Sequence, residues 1–160
     1  MKHYLTAAAF YSGRKLPKMT MREQLVRDEG VVFHAYQDHL GFWTIGVGRS
    51  IDSKKGGGIT REEALYLLDN DIGKKRVDLL AVLPWTATLA ATDEARFAVL
   101  LNMAFNLGVA GLLGFRKMIE AVRDGNYDRA AKEMLDSEWA LQVGLRAQRL
   151  AEQMQTGEWL

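Results

Sequence analysis

The order of patterns along this chain predicts an α+β fold, a small β-containing lobe first and a larger helical lobe after it, joined by a long helix. Three observations carry that expectation. Thr20-Met-Arg-Glu23 reads as a capping box that opens a short helix; Val31 to Gly48 is rich in β-branched and aromatic residues; and a long helix from Thr60 is followed by a chain that is helical in pattern from Asp93 onward. The chain has 160 residues, 48% of them hydrophobic, enough for a compact core.

The elements follow in order. Residues 1–19 form an N-terminal extension that ends in the breaker Leu16-Pro-Lys-Met19. Tyr4 to Tyr11 loosely resembles a signal peptide, but it is short, carries Thr6 and meets Gly13-Arg-Lys15 without a clean cleavage site. A flexible extension or an extra amphipathic turn fits it better. The first helix stops at Gly30, suited to a positive-φ terminator, so Glu29 falls at its C-terminal end. Val31 to Gly48 is interrupted by Asp38-His-Leu-Gly41, which predicts two strands joined by a turn. Ser50 to Gly58 is polar and glycine-rich, a linker-like stretch.

Thr60-Arg-Glu-Glu63 repeats the capping-box signature and opens a helix to about Leu80, stopped by Pro84. Helices are then expected over Glu94–Leu107 (closed by Gly108), Phe115–Arg123 (closed by Gly125), Tyr127–Leu135 and Leu145–Gln155. The domain thus spans residues 20–160: a β-containing lobe over 20–59, the bridging helix over 60–80 and the helical lobe over 81–160. A groove between two unequal lobes suits an extended polymer.

Composition removes several function classes. There is no cysteine, and His3, His34 and His39 lack zinc-motif spacing, so no disulfide framework, thiolate metal site or common zinc motif is expected. A net charge of +1, from 21 basic and 20 acidic residues, argues against nucleic acid as a partner. No apolar run reaches the roughly 18 residues a membrane span needs, so stable membrane insertion is not expected.

Chemistry concentrates between Asp28 and Gly48. Glycoside hydrolysis commonly needs two carboxyl groups in different environments, one protonated and one ionised. Glu29, at a helix C terminus, faces the negative end of the helix dipole, and Val31 and Val32 add apolar surroundings; both disfavour its charged form. Asp38, where strand gives way to turn, is better solvated and suits the ionised role. Thr44, on the returning strand, offers a hydroxyl to hold a water near Asp38. Each residue also has a plainer reading: a solvated helix end, a turn-forming Asp, a Thr filling a pleat.

Their joint spacing is more specific. Glu29, Asp38 and Thr44, embedded in a pattern that runs from Glu29-Gly30 through Tyr36, Asp38 and Gly41 to Thr44-Ile-Gly-Val-Gly48, closely resemble the phage-type (T4-like) lysozymes. Later segments agree, among them Leu101-Asn-Met-Ala-Phe-Asn-Leu-Gly108, Ser137-Glu-Trp139, Arg146-Ala-Gln-Arg149 and Thr156-Gly-Glu-Trp159. The resemblance covers roughly residues 20 to 160 and implies a lysozyme-like fold. It implies Glu29 as general acid, Asp38 as the residue that positions or activates water, and Thr44 as its assistant. It also implies hydrolysis of the β-1,4 bond between N-acetylmuramic acid and N-acetylglucosamine in peptidoglycan glycan strands, without cofactor and with inversion. Inversion calls for a Glu29–Asp38 carboxyl separation of about 6.5–9.5 Å.

The chain also departs from the family pattern. Arg49 stands where relatives carry a His, giving a fixed charge whose candidate partner is Asp71; a free surface arginine is the alternative. The connection from Arg49 to Thr60 is short, which implies a smaller first lobe and a more open cleft wall. Cleft-lining, substrate-binding positions of relatives fall on Ser50, Phe105, Met118 and Glu133, of which only Phe105 keeps its type. Arg146 can approach Glu29 in the family geometry, and an ion pair there would favour ionised Glu29. Tyr36, Phe42 and Trp43 are candidate sugar platforms or core residues; Trp85, Trp139 and Trp159 are expected to pack the helical lobe.

The leading expectation is a monomeric endolysin, made in the bacterial cytoplasm and reaching the wall after membrane permeabilisation. A lytic transglycosylase, with one acid and an anhydro product, is the enzyme alternative; Asp38 with Thr44 favours hydrolysis. A non-catalytic wall-binding or phage structural module is the alternative from another class, and it has no need to keep all three residues.

Overall fold

A computed structural model describes residues 20–160, and the expected extension over residues 1–19 lies outside them. The described chain divides into two compact units, one ending at Thr60 and the other beginning at Arg61. Its order of elements, with eight helices and a small antiparallel sheet among the described residues, is the α+β order expected.

The first unit starts with α1 (Met21–Glu29). The capping box is formed in both directions: Thr20 Oγ1 accepts the Glu23 amide at 3.2 Å, and the Glu23 carboxylate accepts the Thr20 amide at 2.7 Å. Gly30 ends the helix at φ 74° and ψ 178°, a conformation open almost only to glycine, while its N–H reaches the Val26 carbonyl at 3.0 Å. Strands β1 (Val32–Gln37), β2 (Trp43–Gly46) and β3 (Arg49–Ser50) then form an antiparallel sheet in that order. Tyr36 lies opposite Thr44, and Thr44 opposite Ser50, with a bulge in β1 between Val32 and Tyr36. The linker-like reading of Ser50 to Gly58 needs correction. The stretch begins in β3 and carries a turn of 3-10 helix at Ser53–Lys55, capped by the Asp52 side chain.

The second unit holds α2 (Arg61–Val82), α3 (Thr86–Thr92), α4 (Glu94–Leu113), α5 (Arg116–Arg123), α6 (Tyr127–Leu135), α7 (Glu138–Val143) and α8 (Leu145–Thr156). The short helices α3 and α7 were not expected from the sequence. Helix α4 is apolar and long enough to cross a membrane by composition alone, against the reading that no such run exists. Within the second unit it buries Phe97, Val99, Leu100, Met103, Ala104 and Leu112, which belong to one apolar cluster with Met118 of α5, Met134 of α6 and Met154 of α8. Gly108, at φ 74° and ψ 160°, breaks it where the stop was expected. Trp139 is buried, edge-on to Phe115 at 6.0 Å between ring centroids, and donates its indole N–H to Asn106 at 2.8 Å. Trp85 packs partly against this core, but Trp159 is 64% exposed, correcting its expected packing role.

Candidate active site

Helix α1 delivers Glu29 as its last residue, and the backbone of Gly30 redirects the chain at once into β1. The Glu29 side chain is exposed, as is Val31, and Val32 is only half-buried. The apolar shielding expected from the two valines is therefore not supplied.

Asp38 sits at the mouth of the β1–β2 turn and organises it. Its Oδ1 accepts the amides of Leu40 and Phe42, each at 2.9 Å. Its own amide donates to the Phe42 carbonyl and its carbonyl accepts from Gly41, again at 2.9 Å each. The Phe42 amide, followed by that of Leu40 and the nearby charges of Lys55 and His39, holds the Asp38 carboxyl below its ordinary value. The turn-forming and the chemical readings of Asp38 are thus compatible: the bonds that shape the turn also keep the group ionised.

Thr44 is buried in β2, and its hydroxyl donates to the Phe42 carbonyl at 3.3 Å. Asp38 and Thr44 therefore share one backbone acceptor, which ties the two together through Phe42. The Lys55 ammonium lies 3.7 Å from the centre of the Phe42 ring, so that ring is partly covered, whereas Trp43 is left 48% exposed. Tyr36 is half-buried opposite Thr44.

The other candidates divide between the units. Arg49 donates from Nε to the Gly58 carbonyl at 3.0 Å, bracing the far end of the loop; Asp71 is exposed on α2, in the other unit. The Ser50 hydroxyl is buried with no hydrogen-bond partner. In the second unit, Met118 and Glu133 come together in a recess of about 580 Å³, walled also by Phe115 and Ser137. Phe105, 41% exposed, lines a separate recess of about 400 Å³ with Leu68, Ile72 and Trp159. Arg146 faces the same recess, and its guanidinium donates to Asn102 Oδ1 at 2.6 and 3.1 Å.

Sequence reasoning missed Asp52. Its carboxylate is buried beside β2 and accepts the Trp43 amide at 3.2 Å and the Lys54 amide at 2.9 Å. The available signal was an Asp opening the polar turn Ser53-Lys-Lys-Gly56, a cap signature hidden within an apparent linker.

Residues 26–153 match the family described as Phage lysozyme. The pre-baseplate central spike protein Gp5 of Enterobacteria phage T4 is 31% identical over 163 residues, covering 88% of this chain. The chain spans only 28% of the length of that spike protein. Two probable T4-type lysozymes of Dictyostelium discoideum are 26% and 25% identical, each alignment covering 86% of this chain and 95% of the relative.

Proposed function

This chain belongs to the phage lysozyme family, and from that premise we propose that it hydrolyses the β-1,4 bond between N-acetylmuramic acid and N-acetylglucosamine, with Glu29 as acid and Asp38 as base. The family makes it a lysozyme-type glycoside hydrolase that acts on peptidoglycan. The observation that carries the residue assignment is Asp38: a carboxylate fixed by two backbone amides and held ionised, nine residues beyond Glu29.

In the proposed reaction, Glu29 gives its proton to the glycosidic oxygen as that bond breaks. Asp38 takes a proton from the water that attacks the anomeric carbon, so one water is consumed and one reducing end appears. Thr44 steadies that water. Inversion requires space for it, hence the carboxyl separation of about 6.5–9.5 Å. Ser50, Phe105 and Glu133 are proposed to contact the glycan strand or its substituents, with Met118, 1% exposed, acting only as the floor of the Glu133 recess. Arg146, Arg49 and Asp71 are proposed to support the site. A monomer without stable membrane insertion, made in the bacterial cytoplasm and released to the wall for host lysis, completes the proposal.

Mass spectrometry of purified peptidoglycan digested by the wild-type protein tests it. Reducing muropeptides with N-acetylmuramic acid at the new end are expected. Dominant anhydro products would replace hydrolysis by transglycosylation, and binding without any released fragment would leave a wall-binding module.

A further inference from the structure

Among the described residues, Asp52 is the only buried carboxylate, and its placement extends beyond capping a turn. As β3 ends, the chain leaves the sheet. The Ile51 amide still donates to the Trp43 carbonyl at 2.9 Å, as an antiparallel ladder requires. The same ladder would return the Trp43 amide to the Ile51 carbonyl. It goes instead to Asp52 Oδ2 at 3.2 Å, so a side chain replaces the missing strand.

The other carboxylate oxygen accepts the Lys54 amide at 2.9 Å, and the Asp52 carbonyl accepts the amides of Lys55 and Gly57 at 3.1 and 2.9 Å. Gly57 closes this loop so tightly that a Cβ there would lie 2.8 Å from the Asp52 nitrogen and 2.7 Å from Ser50 Oγ. Capping the short 3-10 turn needs only the Lys54 bond. The bond to Trp43, nine positions away, fastens the loop to the returning strand.

One residue earlier, the Phe42 amide is held by Asp38. Two carboxylates thus grip successive amides, as expected where the N–H groups of an extended segment point alternately to its two edges. We infer that Asp52 is a positioning residue for the catalytic hairpin: by fixing Trp43 it keeps the Phe42 amide on Asp38 and the Phe42 carbonyl under the Thr44 hydroxyl. The inference rests on the proposed role of Asp38, and the test separates the two.

The variants are Asp52→Asn, which leaves one acceptor oxygen for two N–H donors, and Asp52→Ala, which leaves none. The first readout needs no activity: the titration of the Asp38 carboxyl followed by carbon NMR. Its midpoint is expected to rise toward the ordinary aspartate value in Asp52→Asn and further in Asp52→Ala. On soluble peptidoglycan fragments, kcat of Asp52→Ala is expected to fall about tenfold to a hundredfold with little change in KM, the size of a misplacement on the ångström scale. The acid limb of the pH profile should move upward with the Asp38 midpoint.

An unchanged Asp38 titration in a folded Asp52→Asn protein would overturn the inference. If Asp52→Ala fails to fold, Asp52→Asn decides alone. A shifted titration with unchanged kcat would support the hold of Asp52 on Asp38 while overturning the proposed role of Asp38 in catalysis.

Discussion

The two units are stabilised by different physics. Among the described residues, every buried hydrophobic residue lies in the second unit, from Leu79 to Met154, and the buried side chains of the first unit are Thr44 and Asp52. The second unit is an apolar core of close-packed helices, where side-chain volume decides stability. The first is a frame of hydrogen bonds, caps and glycine turns, in which the placement of a few N–H groups decides the geometry. The proposed catalytic carboxylates sit on the polar frame. A hydrogen-bonded frame aims charged groups well because its bonds are directional, and those same bonds set the ionisation of Asp38.

Variants can break this contrast, the largest effect first. Phe97→Ala removes a side chain that is only 1% exposed and should cost about 3–5 kcal/mol, read as a lower denaturation midpoint of the second unit. No single truncation of an apolar side chain in the first unit should approach that. Gly30→Ala forces a side chain into a backbone conformation that has open space but poor torsions, for about 1–3 kcal/mol. Amide hydrogen exchange should show that loss confined to residues around α1 and β1.

Gly157→Ala, the counterpart in the second unit, combines left-handed backbone with a Cβ only 2.8 Å from the Arg96 guanidinium. Arg96 is anchored on the carbonyls of Met154 and Gln155, each at 2.7 Å, so it yields only by giving up a helix end. A cost of about 1–2 kcal/mol from the backbone, and a lower melting temperature, are expected. Thr20→Ala removes half of the capping box and should cost about 1 kcal/mol, visible as faster exchange in the first turn of α1.

A change of pH sharpens the contrast without a mutation. The folded pKa of Asp38 is lowered, so its contribution to the hairpin is complete above the ordinary aspartate value and is lost as pH falls through the depressed one. Exchange at the Leu40 and Phe42 amides should accelerate over that acid range in the wild type. In Asp38→Asn the acid dependence should vanish.

Legibility in the sequence followed the same division. Local signals worked where one residue type has one backbone use: the Thr20–Glu23 box, the stop at Gly30, the break at Gly108 and the turn at Asp38. Helix α3 was missed because Thr86-Ala-Thr-Leu-Ala-Ala-Thr92 has modest helical propensity; it forms with the Thr86 hydroxyl on the Leu83 carbonyl and Leu89 in the core. Helix α7 spans only six residues between the Ser137 cap and Gly144, too short for periodicity to show. Strand β3 has two residues and exists through its pairing with β2, which no local pattern reports. The spacing of Glu29, Asp38 and Thr44 was readable. What was not readable was the Phe42 backbone that Asp38 and Thr44 share, or the second carboxylate, Asp52, that holds the next residue.

The central claim, that the polar frame presents Glu29 as the acid of a lysozyme, has one direct test. Clearing of outer-membrane-permeabilised cells is followed by turbidity for the wild type and for Glu29→Gln, with both shown to be folded by circular dichroism. The wild type should clear the suspension, and the variant should be slower by about 10²–10⁴-fold, the usual contribution of a general acid. Equal clearing by the two proteins would contradict the account.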